Sequence, residues 1–196
     1  LVLLCALGLA GSAALFAGVA GVAGAVPAAP PQTLRVDYFH TGNAREERFA
    51  LERVVVEPLP WPGDLAKTVD DTNLGKYLFE VIDRSSRRLL YSRGFASIYG
   101  EWETTGEASE IDRTFSESLR FPCPPLADGP VQVVLKKRDR ANDFREIWSL
   151  VVDPADMLVD ASRPPSAGEL IALQRTGDPA DKLDFLILGD GYTAVE

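Results

Sequence analysis

The sequence predicts an all-β protein, an antiparallel β-sandwich over residues 33–154, and three observations carry that prediction. Apolar and polar residues alternate with a period of two, turn residues punctuate the runs at short intervals, and helical periodicity is almost absent. Seven or eight strands at this spacing fit two stacked antiparallel sheets.

The first strand alternates Leu34, Val36 and Tyr38 with Arg35 and Asp37, and Thr41, Gly42 and Asn43 turn the chain. Residues 47–57 form the second, with Phe49, Leu51 and the β-branched Val54, Val55 and Val56, and Pro58, Pro60 and Pro62 end it. A loop through Trp61, Gly63 and Asp64, then Asp70 to Gly75, leads to residues 77–82. That run is apolar on both faces and predicts a central strand. Residues 84–88 make a polar turn, and Leu89, Leu90 and Tyr91 return as its hairpin partner. Residues 95–102 continue with aromatic and β-branched side chains, and residues 111–121 alternate through Arg113, Phe115, Glu117, Leu119 and Phe121. A second hairpin joins 131–135 to 144–152 across a charged tip, residues 136–143, and Pro154 closes the sandwich.

Residues 155–182, rich in Pro, Ser, Asp and Gly, read as a linker with at most a short helix around 168–174. At 183–196, Phe185, Leu186, Ile187 and Leu188 run into Gly189 and Gly191. This is the pattern of the first strand of an α/β domain, expected to be truncated here. At the other end, residues 1–25 read as a secretory signal peptide truncated at its start. The stretch is uncharged and apolar, with small residues Ala23, Gly24 and Ala25 before a Pro/Ala-rich spacer at 26–32. A membrane anchor is the alternative, since about 20 apolar residues span a bilayer. The Gly and Ala content makes the stretch weakly hydrophobic for that, so cleavage near Ala25 and a secreted or periplasmic location are expected, with no membrane association after signal removal.

All charge follows Leu34, with a net of -9 and a sequence pI near 4.7, which argues against nucleic acid or an anionic membrane surface as partner. Of the two cysteines, Cys5 lies in the leader, so Cys123 alone remains in the mature chain and forms no intrachain disulfide.

His40 is the only histidine. A zinc site of the H-E-x-x-H type needs two histidines four residues apart, so this chain does not supply it, and His40 is expected to be a turn histidine bonded to backbone or solvent. Asp70, Asp71, Thr72, Asn73, Leu74 and Gly75 resemble a calcium loop faintly, but the third place is Thr72, the fifth is Leu74 and the twelfth is Val81 where a bidentate Glu is needed, and an Asx-turn accounts for the same residues. Glu101, Glu103, Glu107, Glu110 and Asp112 offer carboxylates for acid–base work and are expected to be solvated. Lys136, Lys137, Arg138, Asp139 and Arg140 read as a hairpin tip rather than a binding patch. Trp61, Trp102, Trp148, Tyr91, Phe95 and Tyr99 would serve either an aromatic ligand platform or cross-strand packing. Packing is expected for most of them, with Trp61, flanked by prolines, held at the surface or against a neighbouring domain. No catalytic, cofactor-binding or metal-ligating residue is therefore assigned.

Several stretches together resemble the amino-terminal domain of the M64 (IgA peptidase) metallopeptidases: Arg35 through Asn43, Glu47 through Leu51, Glu57 through Gly63, Tyr91 through Phe95, Tyr99 through Trp102, and Phe144 through Glu146. Phe185 through Thr193 is similar to the entry into that family's catalytic domain. The resemblance implies a secreted zinc endopeptidase in which a β-sandwich accessory domain precedes an α/β metallopeptidase domain bearing H-E-x-x-H. Zinc is then expected in that downstream domain, which would be the partner in cis, with a protein as substrate, and this chain alone should be inactive. The alternative function is a secreted, non-catalytic sandwich that binds carbohydrate or cell-surface ligands through exposed aromatics.

Overall fold

The computed structural model describes residues 30–162, 171–177, 182, 185 and 187. The expected leader and almost all of the expected α/β strand lie outside these residues, and no helix is formed over 171–174.

Among the described residues, seven strands form two antiparallel sheets packed face to face, as expected of a sandwich. The first sheet has the order β2-β1-β5, from β1 (Gln32–Gly42), β2 (Glu47–Pro60) and β5 (Arg113–Pro122). The second has the order β4-β3-β6-β7, from β3 (Tyr77–Asp83), β4 (Leu89–Phe95), β6 (Val131–Arg138) and β7 (Phe144–Val152). Strand β3 is central, as its apolar run required, and both expected hairpins form, β3 with β4 and β6 with β7. Asp83 builds the first hairpin turn: its Oδ1 accepts from Ser85, from the Ser86 amide and from the Ser86 hydroxyl. Those bonds, the Ser86 amide foremost, hold its carboxyl down at about 2.

Several boundaries differ from the sequence reading, and two of them change the shape of the sandwich. Strand β2 runs on through Pro58 to Pro60, with Pro60 opposite Gln32. An edge strand tolerates prolines because one row of its N–H groups needs no ladder partner. Residues 95–102 are not a continuous strand. β4 ends at Phe95, and Ser97 caps a short helix α1 (Ile98–Trp102) by accepting from the Gly100 amide at 2.9 Å. After β7 the chain stays on the sandwich as far as Asp160, whose amide donates to Val54 O and whose carbonyl accepts from Val56 N.

Inward residues of β1, β3, β5 and β6 make the core. Leu34, Val36, Leu119 and Phe121 from the first sheet meet Tyr77, Phe79, Val81, Val133 and Leu135 from the second. A smaller cluster of Tyr99, Trp102 and Ala108, with Phe115 against it, seats α1 at one end of the sandwich. No helix among the described residues is long and apolar enough to cross a membrane.

Candidate functional site

Strand alternation places His40 two residues beyond Tyr38 on the inward face of β1, and the same alternation turns Glu117 of β5 inward between Phe115 and Leu119. Glu47 opens β2 beside them. The imidazole is 1% exposed, so the expectation of a turn histidine bonded to backbone or solvent is wrong. The strand continues two residues past His40, and the ring is sealed between two aromatics. Tyr99 stacks on it at 3.7 Å and 18°, and Phe49 lies 4.3 Å away on β2.

Both ring nitrogens meet a carboxylate. Nδ1 is 3.1 Å from Glu117 Oε2, and Nε2 is 2.9 Å from Glu47 Oε2. Glu117 Oε2 also accepts from the Tyr38 hydroxyl at 2.9 Å, and its Oε1 from the Tyr99 amide at 3.2 Å. Glu47 Oε2 accepts from the Tyr77 hydroxyl at 3.1 Å, and its Oε1 from Lys137 Nζ at 2.8 Å. Lys137 passes the chain on to Glu103 Oε2 at 2.9 Å, and Lys76 closes it by pairing with Glu103 and donating to Gly100 O. His40, Lys137 and Lys76 thus alternate with Glu117, Glu47 and Glu103 across both sheets and α1. Gly42 leaves room for the closure, because a Cβ there would lie 2.7 Å from the Tyr99 hydroxyl. That hydroxyl donates to Asn43 O and Glu46 O.

The electrostatics follow from these contacts. Burial works against the charged imidazole, but the bonds to Glu117 and Glu47 outweigh it and hold the His40 pKa above its ordinary 6.5. Burial likewise opposes ionisation of Glu47 and Glu117, and their donors, His40 first, outweigh it and keep both below the ordinary range. Lys137 is desolvated too, yet Glu47 and Glu103 raise it. Burial, reinforced by Glu117 and Glu47, pushes the Tyr38 and Tyr77 phenols far up, so both stay neutral donors.

This arrangement does not fit a zinc ion. Glu47 and Glu117 approach the imidazole from opposite nitrogens, so the three groups do not converge on one point, and all four carboxylate oxygens already accept from protein donors. No group of three or more His, Cys, Asp or Glu side chains among the described residues is placed to hold a metal.

The remaining candidates take up turns, ion pairs or solvent. Asp70 forms the expected Asx-turn, its Oδ1 accepting from Thr72 N at 2.8 Å, while Oδ2 takes the Gly94 amide. Of the loop carboxylates, Glu101 and Glu110 are exposed, Asp112 takes Asn43 and Arg48, and Glu107 takes Trp102 and Arg113. Glu103 departs from the expected solvated state because two lysines hold it. The charged tip shrinks to residues 139–143, where Asp139 accepts from the Ala141 and Asp143 amides. Lys136, Lys137 and Arg138 belong to β6, each with its own partner: Glu80, Glu47 and the Asn73 carbonyl.

Tyr91, Tyr99 and Trp102 are buried, and Trp61, Trp148 and Phe95 pack against the core, so these six make no exposed platform. Trp61 sets its ring edge-on to Tyr91 at 5.7 Å, with Nε1 buried and unpartnered among the described residues.

A family model described as Peptidase M64 N-terminus matches residues 28–149, which takes in the sandwich up to β7. No curated protein matches the chain.

Proposed function

The chain belongs to the peptidase M64 N-terminus family, and on that premise we propose that the sandwich is the amino-terminal accessory domain of a secreted zinc metalloendopeptidase. The family match, running through nearly the whole sandwich, is the observation that carries the reading. In it the zinc site and H-E-x-x-H belong to a catalytic domain that follows the linker, and the chain itself contributes positioning, shielding or substrate recruitment. The inward turn of Tyr91, Tyr99 and Trp102 favours this role over carbohydrate capture, which relies on aromatic faces open to solvent. At the exit toward the linker, Leu59, Met157 and Leu158 are 70%, 94% and 84% exposed, apolar surface of the kind a following domain covers.

The test joins the sandwich to an M64 catalytic domain and compares that protein with the catalytic domain alone. The reading predicts a lower kcat/KM on protein substrates, or a lower yield of soluble enzyme, when the sandwich is removed. Unchanged hydrolysis and yield, together with specific binding of the sandwich to an oligosaccharide, would replace it with the binding-module reading.

A further inference from the structure

The carboxylate oxygen facing each ring nitrogen of His40 also accepts from a tyrosine, Glu117 Oε2 from Tyr38 and Glu47 Oε2 from Tyr77, while the Tyr99 amide and Lys137 hold the other oxygen of each carboxylate. With a carboxylate oxygen facing each ring nitrogen, both nitrogens can donate at once only when the imidazole is doubly protonated. A neutral ring would turn a lone pair toward a carboxylate about 3 Å away, a contact that repels.

The two carboxylates are not equally protected against that loss. Glu47 keeps Lys137, whereas among the described residues His40 is the only cationic partner of Glu117, its other donors being the neutral Tyr38 hydroxyl and Tyr99 amide. The same Tyr99 stacks over the imidazole and anchors the 97–103 turn, whose other charged tie is Glu103 to Lys137 and Lys76. The charged and titratable groups around the ring are therefore Tyr38 from β1, Glu47 from β2, Tyr77 from β3, Glu117 from β5, Lys137 from β6, and Tyr99 with Glu103 from the α1 segment.

We propose that His40 is a proton-operated clasp: doubly protonated, it holds Glu117 and Tyr99 together and shuts the α1 end of the sandwich, and loss of one ring proton releases the 97–103 turn. Buried Glu117, left without a cation, regains water, and water reaches it by displacing Tyr99. The sign follows from the linkage. A group whose proton is bound more tightly in the folded protein stabilises it fully below the ordinary 6.5, and that stabilisation is lost as pH rises through the raised folded value. The clasp is therefore closed at neutral and mildly acidic pH and opens on the alkaline side.

Because the chain has one histidine, its imidazole nitrogen resonances report the clasp without assignment ambiguity. The experiment titrates the full chain from pH 6 to 11, following those resonances together with hydrogen-exchange protection factors of the Tyr99, Glu101 and Glu103 amides. Both nitrogens should be protonated at pH 7, and protection should fall at least tenfold with the same midpoint as the imidazole. Glu117→Gln should move both midpoints down, and Lys137→Met, which removes a nearby positive charge, should move both up. A singly protonated ring at pH 7 would overturn the proposal. So would protection that stays constant while the ring titrates, or a midpoint in either variant that moves for the ring and not for the amides.

Discussion

Strand β1 carries two ionic networks, one on each face, and they differ in little but solvent. Inward, Tyr38 and His40 join Glu117, Glu47 and Lys137, with side chains 1% exposed at His40, 8% at Glu117 and 13% at Glu47. Outward, Asp37 takes Arg35 and Arg53 at 2.8 Å, and Glu57 takes Arg35 at 2.8 Å and Arg120 at 3.1 Å, but Arg53 and Arg120 are about half exposed. Bond lengths are the same in both sets, so geometry alone does not rank them. Water does: Asp37 is 10% exposed, but water reaches and screens its partner Arg53 and the Arg120 beside Glu57, whereas the inner carboxylates have their partners buried with them.

The comparison breaks first at His40. His40→Ala leaves Glu117 and Glu47 buried with fewer donors and should destabilise the domain by about 3–5 kcal/mol, as measured by chemical denaturation. A loss under about 1 kcal/mol would mean that water already reaches the inner cluster. On the outer face, Asp37→Asn keeps the shape and removes the charge that two arginines share. Its cost, discounted for the exposure of Arg53, should be about 1 kcal/mol. That contribution has a pH signature of its own. Burial raises the Asp37 pKa, the bonds from Arg35 and Arg53 outweigh burial, and the net shift is below the ordinary 3.8. The stability is thus complete above 3.8 and fades as pH falls through the lower folded value, the reverse of the His40 direction.

Salt sharpens the contrast. Raising the ionic strength from 0.1 to 1 M shortens the Debye length from about 10 to about 3 Å. Most of the Asp37→Asn difference should disappear and most of the His40→Ala difference should survive. Arg48 provides the smallest effect: it pairs with Glu46 and Asp112 in the open, and Arg48→Ala should leave the denaturation midpoint within measurement error.

The sheets were legible in the sequence because their signal is local. Alternation, paired hairpins and the doubly apolar β3 each need only a few neighbouring residues. The same alternation already pointed His40 and Glu117 inward, since Leu34, Val36, Tyr38 and His40 share one parity, as do Phe115, Glu117, Leu119 and Phe121. Glycine and asparagine after His40 suggested a turn at the ring, and that turn begins only after Gly42. What local pattern does not contain is the partner. Glu47 and Glu117 are 7 and 77 residues from His40, and the stacking ring, Tyr99, arrives on a five-residue helix whose signal is one capping serine. Lys137 was hidden differently: a basic run reads as a solvated tip unless the strand is known to extend through it.

The central claim is that the inner cluster is a closed tie whose ligand-type atoms are spent on one another. Calorimetric titration of the full chain with zinc, repeated on His40→Ala, addresses it most directly. Zinc should find no stoichiometric site that depends on His40, and the two heat profiles should superimpose. One equivalent bound by the parent chain and lost in His40→Ala would show that Glu47 and Glu117 can turn from the imidazole to a metal, and would contradict the account.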